Sequence, residues 1–279
     1  MARQGFTLVE LAIVLVIIGL LVGGVLVAQD LIKAAEIRAV SSDIERYNTG
    51  AAAFRTKFNG VPGDILGTSA ATFGLAYGDS NDGEGDGDGM LENNTADKTG
   101  LGGENVLFWT HLSQAQFIPF GSTTYTTAAG ANGALAEIAT TAFGTVATAN
   151  AALQVAVPQL RIRDTGYIHA FGLTGLNYYI IGSYYTNGDT DGALTAGTAL
   201  SPREALGIDE KVDDGKPNAG VARASGGALA SMTTATLTGG AASPAAGNCY
   251  DSDAPATYAT ASEDVANSVG CSLRIRAGF

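Results

Sequence analysis

The chain opens on an apolar run and then changes its period. After Phe6-Thr7-Leu8-Val9-Glu10, the nineteen residues from Leu11 to Gln29 carry no charge. That is close to the ~20 residues that cross a bilayer as a helix. From there the pattern becomes amphipathic, with apolar positions at Ile37, Val40, Ile44, Tyr47, Ala51, Phe54 and Phe58. Steps that alternate between three and four residues mark one helix face, and Glu36, Arg38, Asp43, Glu45, Arg46 and Arg55 lie off it. No proline interrupts the run before Pro62, and Asn59-Gly60 supplies a C-terminal stop. The pattern predicts one helix from Phe6 to Phe58, roughly 80 Å long at ~1.5 Å per residue. Its first half is apolar all round, and its second half docks on a folded body.

Beyond Pro62 the periods shorten. Residues 105–115 predict an amphipathic helix burying Leu107, Phe108, Leu112 and Ala115, with Trp109 and His111 as packing or surface residues. Residues 121–152 are rich in Ala, Thr and Gly and predict a surface region with one short helix. Alternation at Val155, Val157, Leu160 and Ile162 suggests a strand interrupted by Pro158. Two aromatic-rich runs, 166–171 and 176–183, predict a hairpin turning at Leu173-Thr174-Gly175, with Tyr178, Tyr179, Tyr184 and Tyr185 in sheet packing. Ser201-Pro202 opens a short helix as N-cap and first residue. The following run from Ile208 to Pro217 reads as a salt-bridged turn or as a cation site using Asp213 and Asp214. Residues 224–247 predict a loop, and 271–277 a last strand.

Composition sets limits on what such a chain can do. A net charge of −12 argues against a nucleic-acid partner held by phosphate neutralisation. With 38 glycines in 279 residues, loops and short strands are expected rather than a helical bundle. Neither a Ser/His/Asp nor a Cys/His constellation is present, and the two histidines, His111 and His169, are isolated, so an enzyme is not expected. Seven acidic residues lie between Asp79 and Asp97 with no basic residue before Lys98. Within that stretch Glu84, Asp86 and Asp88 alternate ahead of Gly89, the frame in which calcium loops present oxygen ligands, with Glu92 close behind. The acid such loops carry at their twelfth position is replaced by Thr95. Asn187, Asp189 and Asp191 ahead of Gly192 repeat the frame. Both stretches read as calcium sites or as plain Gly/Asp surface turns. Cys249 and Cys271 have no metal-ligand spacing; an exported body would join them in a disulfide, whereas a cytosolic one would leave two separate thiols.

The N-terminus itself does not fit a secretory signal. Arg3 is its one basic residue, the apolar run is too long, and no small-residue cleavage site follows it. Arg3 favours an N-in orientation. Gly19 and Gly23 are spaced as in helix-pairing faces, and they equally mark a place where a helix can loosen. Glu10 has two readings: near the end of a span a carboxylate reaches interfacial water cheaply, whereas one held inside the apolar phase acts through a partner, for which an amine on Phe6 would serve.

Gly5-Phe6-Thr7-Leu8-Val9-Glu10-Leu11 ahead of this run resembles the cleavage and methylation signature of type IV prepilins and type II secretion pseudopilins. The resemblance covers residues 1–62. It implies that a prepilin peptidase cuts after Gly5 and methylates Phe6. It also implies that Glu10 neutralises the N-terminal amine of a neighbouring subunit, and that Gly19 borders a segment that melts on assembly. These helices usually carry a proline at the position of Val27, and this chain does not. The fold implied is α+β, a pilin fold with a long N-terminal helix packed on a C-terminal antiparallel sheet with large loops. Its parts would be a leader at 1–5, a membrane and filament-core half at 6–29, an amphipathic half at 30–60 and an extracytoplasmic head at 61–279. A disulfide-closed C-terminal loop resembles the region many pilins expose on the filament surface. The expected partners are further copies of the chain, the peptidase and an inner-membrane assembly platform. The precursor would sit in a bacterial inner membrane and the product in a cell-surface filament or a periplasmic pseudopilus.

Overall fold

The computed structural model describes residues 7–77, 85–92, 103–121, 154, 156–186, 194–226, 240–241, 249–251, 256–260 and 266–279. Helix α1, Leu8–Phe58, runs unbroken for 51 residues. Thr7 caps its start, and Asn59, in the left-handed region at φ 56°, ends it by donating its N–H to the Arg55 carbonyl. The stop predicted at Asn59-Gly60 is thus in place, with Asn59 taking the left-handed turn. Val27 sits in regular helix, as expected without a proline.

The apolar stripe docks as its spacing implied. Val40, Ile44, Tyr47, Ala51 and Phe54 are buried, while Ile37 and Phe58 pack at the ends of the stripe. Opposite them lie the helix of residues 202–212 and α3, Gly103–Gln114, while Phe58 meets Phe73 of α2, Gly67–Phe73, at 5.1 Å. The amphipathic reading of α3 is corrected: every residue from Gly103 to Leu112 is buried, because α1 covers one side and the sheet another. Trp109 and His111 are therefore interior residues. Trp109 meets Tyr47 edge-on at 4.9 Å and Phe108 at 4.8 Å. Fully burying such a side chain stabilises the fold by ~1.5–3 kcal/mol.

The main sheet is antiparallel and built on the predicted hairpin. Strands β1, Gly166–Leu173, and β2, Leu176–Thr186, pair along their length through a two-residue turn. Thr174 at φ 51° and Gly175 at φ 81° give that turn the left-handed backbone that matches strand twist. Strand β3, Leu194–Gly197, pairs with β2 alone. Helix α4, Pro202–Val212, follows the N-cap at Ser201 and runs further than the short helix expected, absorbing Ile208 to Val212. Strand β4, Ala222–Ser225, occupies residues expected to lie in or beside a loop. Strands β5, Gly240–Ala241, β6, Tyr250–Asp251, and β7, Thr257–Tyr258, form a small second sheet. The last strand, β8, Ser272–Arg276, inserts between β2 and β4, giving the order β1-β2-β8-β4. The architecture is α+β, a long apolar helix followed by an antiparallel sheet, consistent with the pilin fold.

One predicted strand is absent. Around Pro158 the chain makes a single bridge, Gln159 to Tyr167, and then turns at 161–162. Val157 and Leu160 are buried as their alternation suggested, but they plug the end of β1 instead of extending the sheet.

Candidate functional site

The exposed half of α1 is the largest functional feature. Its large apolar side chains between Leu8 and Ile32 are 50–87 % exposed, and none packs on the head. A helix of this length and composition can cross a membrane. At its start Thr7 and Glu10 form a capping box. The Glu10 carboxylate accepts from Thr7 N–H and Oγ–H, both at 2.8 Å, and Thr7 Oγ accepts from Glu10 N–H at 3.3 Å. The Thr-x-x-Glu signature of this box is visible in the sequence and was not read there. Gly5 and Phe6, the processing residues, lie outside the described residues, so the expected amine partner of Glu10 does too. At Gly19, Gly23 and Gly24 an added Cβ would meet nothing within 4 Å. Their small size serves no packing inside the subunit, which leaves helix softness or contact with another chain.

The acidic loop is held in the head by residues from elsewhere. Asp64 and Glu104 are buried, at 2 % and 4 % exposure. Asp64 accepts from Gly87 N–H and Gly89 N–H, both at 2.7 Å. Glu104 accepts from Glu92 N–H at 2.8 Å and from Asp86 N–H at 3.3 Å. Asn177 accepts from Leu91 N–H at 3.0 Å and donates to the Gly89 carbonyl at 2.8 Å. Gly63, at φ 93°, allows the close approach: a Cβ there would lie 2.4 Å from the Glu104 carbonyl oxygen. Burial pushes the Asp64 carboxyl up to about 6 and the Glu104 carboxyl up to about 9, and in both cases nearby carboxylates add to the rise.

One oxygen each from Asp64, Asp86 and Glu104 lie within 4.8 Å of one another, an all-oxygen donor set of the kind a hard divalent cation takes. Asp86 was expected there; the two buried anchors were not, since they come from segments some twenty residues to either side. Asp88 is exposed and closes a turn by accepting from Met90 N–H at 2.7 Å, and Glu92 joins through its backbone. Glu84, Asn187, Asp189 and Asp191 lie outside the described residues.

The run from Ile208 to Pro217 ends α4 and then turns, and it keeps both features read from the sequence: salt-bridged turn contacts, and one oxygen each from Asp209, Asp213 and Asp214 within 4.8 Å of one another, a set that could hold a metal ion. Asp213 accepts from Val221 N–H and, at 3.3 Å, from Ala222 N–H, fixing the start of β4. Asp214 pairs with Lys216 Nζ at 3.3 Å. Asp209 accepts from Tyr258 Oη–H at 2.8 Å and from Gly215 N–H at 3.3 Å, and burial pushes its carboxyl up to about 6. These acids hold α4 against β4 and β7. The expected disulfide is formed between Cys249 and Cys271, with Cα atoms 4.8 Å apart. It ties the residue before β6 to the residue before β8.

Residues 1–26 match the model of the prokaryotic N-terminal methylation motif, the type IV prepilin-type cleavage and methylation signal. No curated protein and no solved structure matches the chain.

Proposed function

We propose that the chain is a structural subunit of a type IV pilus-like filament. The observation that carries this is the division of α1. Overlapping the methylation motif, one half of an unbroken helix is bare and apolar, and the other half is buried on the head. A helix of that kind is stored in lipid as a precursor and buries the same surface against other copies once assembled. On this reading prepilin peptidase cuts after Gly5 and methylates Phe6. Glu10 exchanges the Thr7 cap for the amine of a neighbouring subunit, and an inner-membrane platform polymerises the chain. The head lies outside the cytoplasm, where a Cys249–Cys271 disulfide persists. The role is architectural and involves no catalysis. We extend the proposal to calcium, held by Asp64, Asp86 and Glu104, where it would offset the charge the fold gathers around the acidic loop.

A pseudopilus of a secretion system would use the same processing. Mass spectrometry of purified filaments should show N-methylated Phe6 with residues 1–5 missing; an intact Met1 overturns the processing reading. Electron microscopy of sheared surface material separates the two assemblies. Long filaments containing this chain support the pilus. A chain confined to the inner membrane and periplasm supports the pseudopilus.

A further inference from the structure

The sheet face turned away from α1 carries a cluster of positive charge that the filament reading does not use. Strand register fixes which side chains share that face. Arg223 on β4 is directly opposite Arg274 on β8, and Arg276 on β8 is directly opposite Tyr178 on β2. Side chains opposite each other or two apart on one face lie within ~5–8 Å, so the three arginines converge. They line a pocket of about 250 Å³ with Leu173, Leu176 and Tyr178 as its apolar wall.

Three features set this pocket apart from ordinary surface arginines. In a chain of net charge −12 the pocket gathers three of fifteen basic residues, and among the described residues no carboxylate lines it. Arg223 and Arg276 make no ion pair with a described residue. Among the described residues, Asp213 does not line the pocket and is occupied with the N–H groups of Val221 and Ala222. Arg274 is also only 4 % exposed, with its guanidinium 5.0 Å from the centre of the Tyr178 ring, so its charge is oriented before any ligand arrives.

We infer that this pocket binds a phosphate or sulfate group. A tetrahedral, doubly charged oxyanion can accept from more than one guanidinium fork, whereas a single carboxylate is satisfied by one. The volume takes one such group, and the apolar wall suits an organic body carrying it. The inference does not rest on the filament reading. Should that reading hold, the pocket lies on the sheet face opposite the assembly helix.

The test is titration calorimetry on the full chain in detergent at constant ionic strength, with inorganic phosphate and phenyl phosphate as probes. Phosphate should bind, and the affinity should fall about 10-fold or more in Arg223→Gln/Arg276→Gln, a loss of at least one charge-assisted hydrogen bond. Both positions lie outside the core, so this variant tests binding without removing the buried Arg274. Arg223→Lys/Arg276→Lys keeps the charge but not the fork and should bind between the two. Tighter binding of phenyl phosphate assigns an organic ester as the ligand class, and equal binding assigns the free anion. Absence of phosphate binding, or equal binding by the wild type and the glutamine variant, overturns the inference.

Discussion

Asn48 and Gly278 stand 230 residues apart in sequence, and the Asn48 carboxamide oxygen accepts a 2.9 Å hydrogen bond from Gly278 N–H. The bond closes the head on its own helix. Ala277 N–H binds the Asn177 carbonyl at 2.8 Å, and Phe279 stacks on Phe108 with ring centres 5.3 Å apart. Asn48→Ala should cost about 1 kcal/mol. Thermal melting of the full chain in detergent would show this as a fall of a few degrees, with no change in helix content by circular dichroism.

Asp43, which the spacing places off the docked stripe, is nevertheless covered beside it. It is buried, pairs with Arg46 one turn on, and accepts from Arg161 Nε at 2.8 Å. Its partners reach water, with side-chain exposures of 38 % and 56 %, so they can be resolvated when it is lost. Asp43→Asn should therefore cost about 1–3 kcal/mol, short of the full penalty for an orphaned buried charge. Arg161→Ala should cost no more than ~1 kcal/mol. Equal losses for the two, by denaturant titration, would contradict this asymmetry.

The buried His111 makes the head acid-sensitive. Its Nδ1 accepts from Gly63 N–H at 2.8 Å, and its Nε2 lies 2.6 Å from the Ala76 carbonyl, which fixes a neutral ring protonated at Nε2. Burial pushes its pKa down to about 4. The unfolded chain then binds the proton first, so stability is intact above the ordinary value near 6.5 and is lost as pH falls toward 4. The loss from this residue should be about 3 kcal/mol. In His111→Gln, which keeps an acceptor but does not ionise, the melting temperature should change less over that interval.

Glu10 lies far from the head, and its only contacts among the described residues are with Thr7 and its own helix. Glu10→Val should leave the melting of the head unchanged and reduce filament yield sharply. A normal yield would show that assembly does not use this carboxylate.

For calcium, addition of the ion after chelation should raise the melting temperature of the wild type. Asp86→Asn, at an exposed position, should lose most of that rise while melting normally without metal. The same rise in both proteins would remove Asp86 from the site.

Local patterns were the legible ones. The stripe from Ile37 to Phe58, the Thr174-Gly175 hairpin and the Ser201 cap each depend on residues within a turn or two of one another. Helix α3 was misread because a helix covered on several sides owes its burial to α1 and the sheet, and its own periodicity does not record them. The alternation around Pro158 looked like a strand, but the segment makes a single bridge to β1 and then turns away. Asp64 and Glu104 were missed for a related reason: the residues that hold the acidic loop lie in other segments, without a spacing that connects them to it. The arginine pocket also depends on register, since Arg223 and Arg274 become neighbours only when β4 and β8 pair.

The unbroken course of α1 also bears on mechanics. Tension applied to the bare half runs along the helix axis into the docked half, parallel to the stripe from Val40 to Phe54. Such a load acts in shear, and the stripe, the Asp43–Arg161 pair and the Asn48–Gly278 bond resist it together. A kinked rod would convert part of the pull into a torque that peels these contacts one after another. Without a proline, α1 would pass such a load from its bare half to its docked half along one unbroken helix.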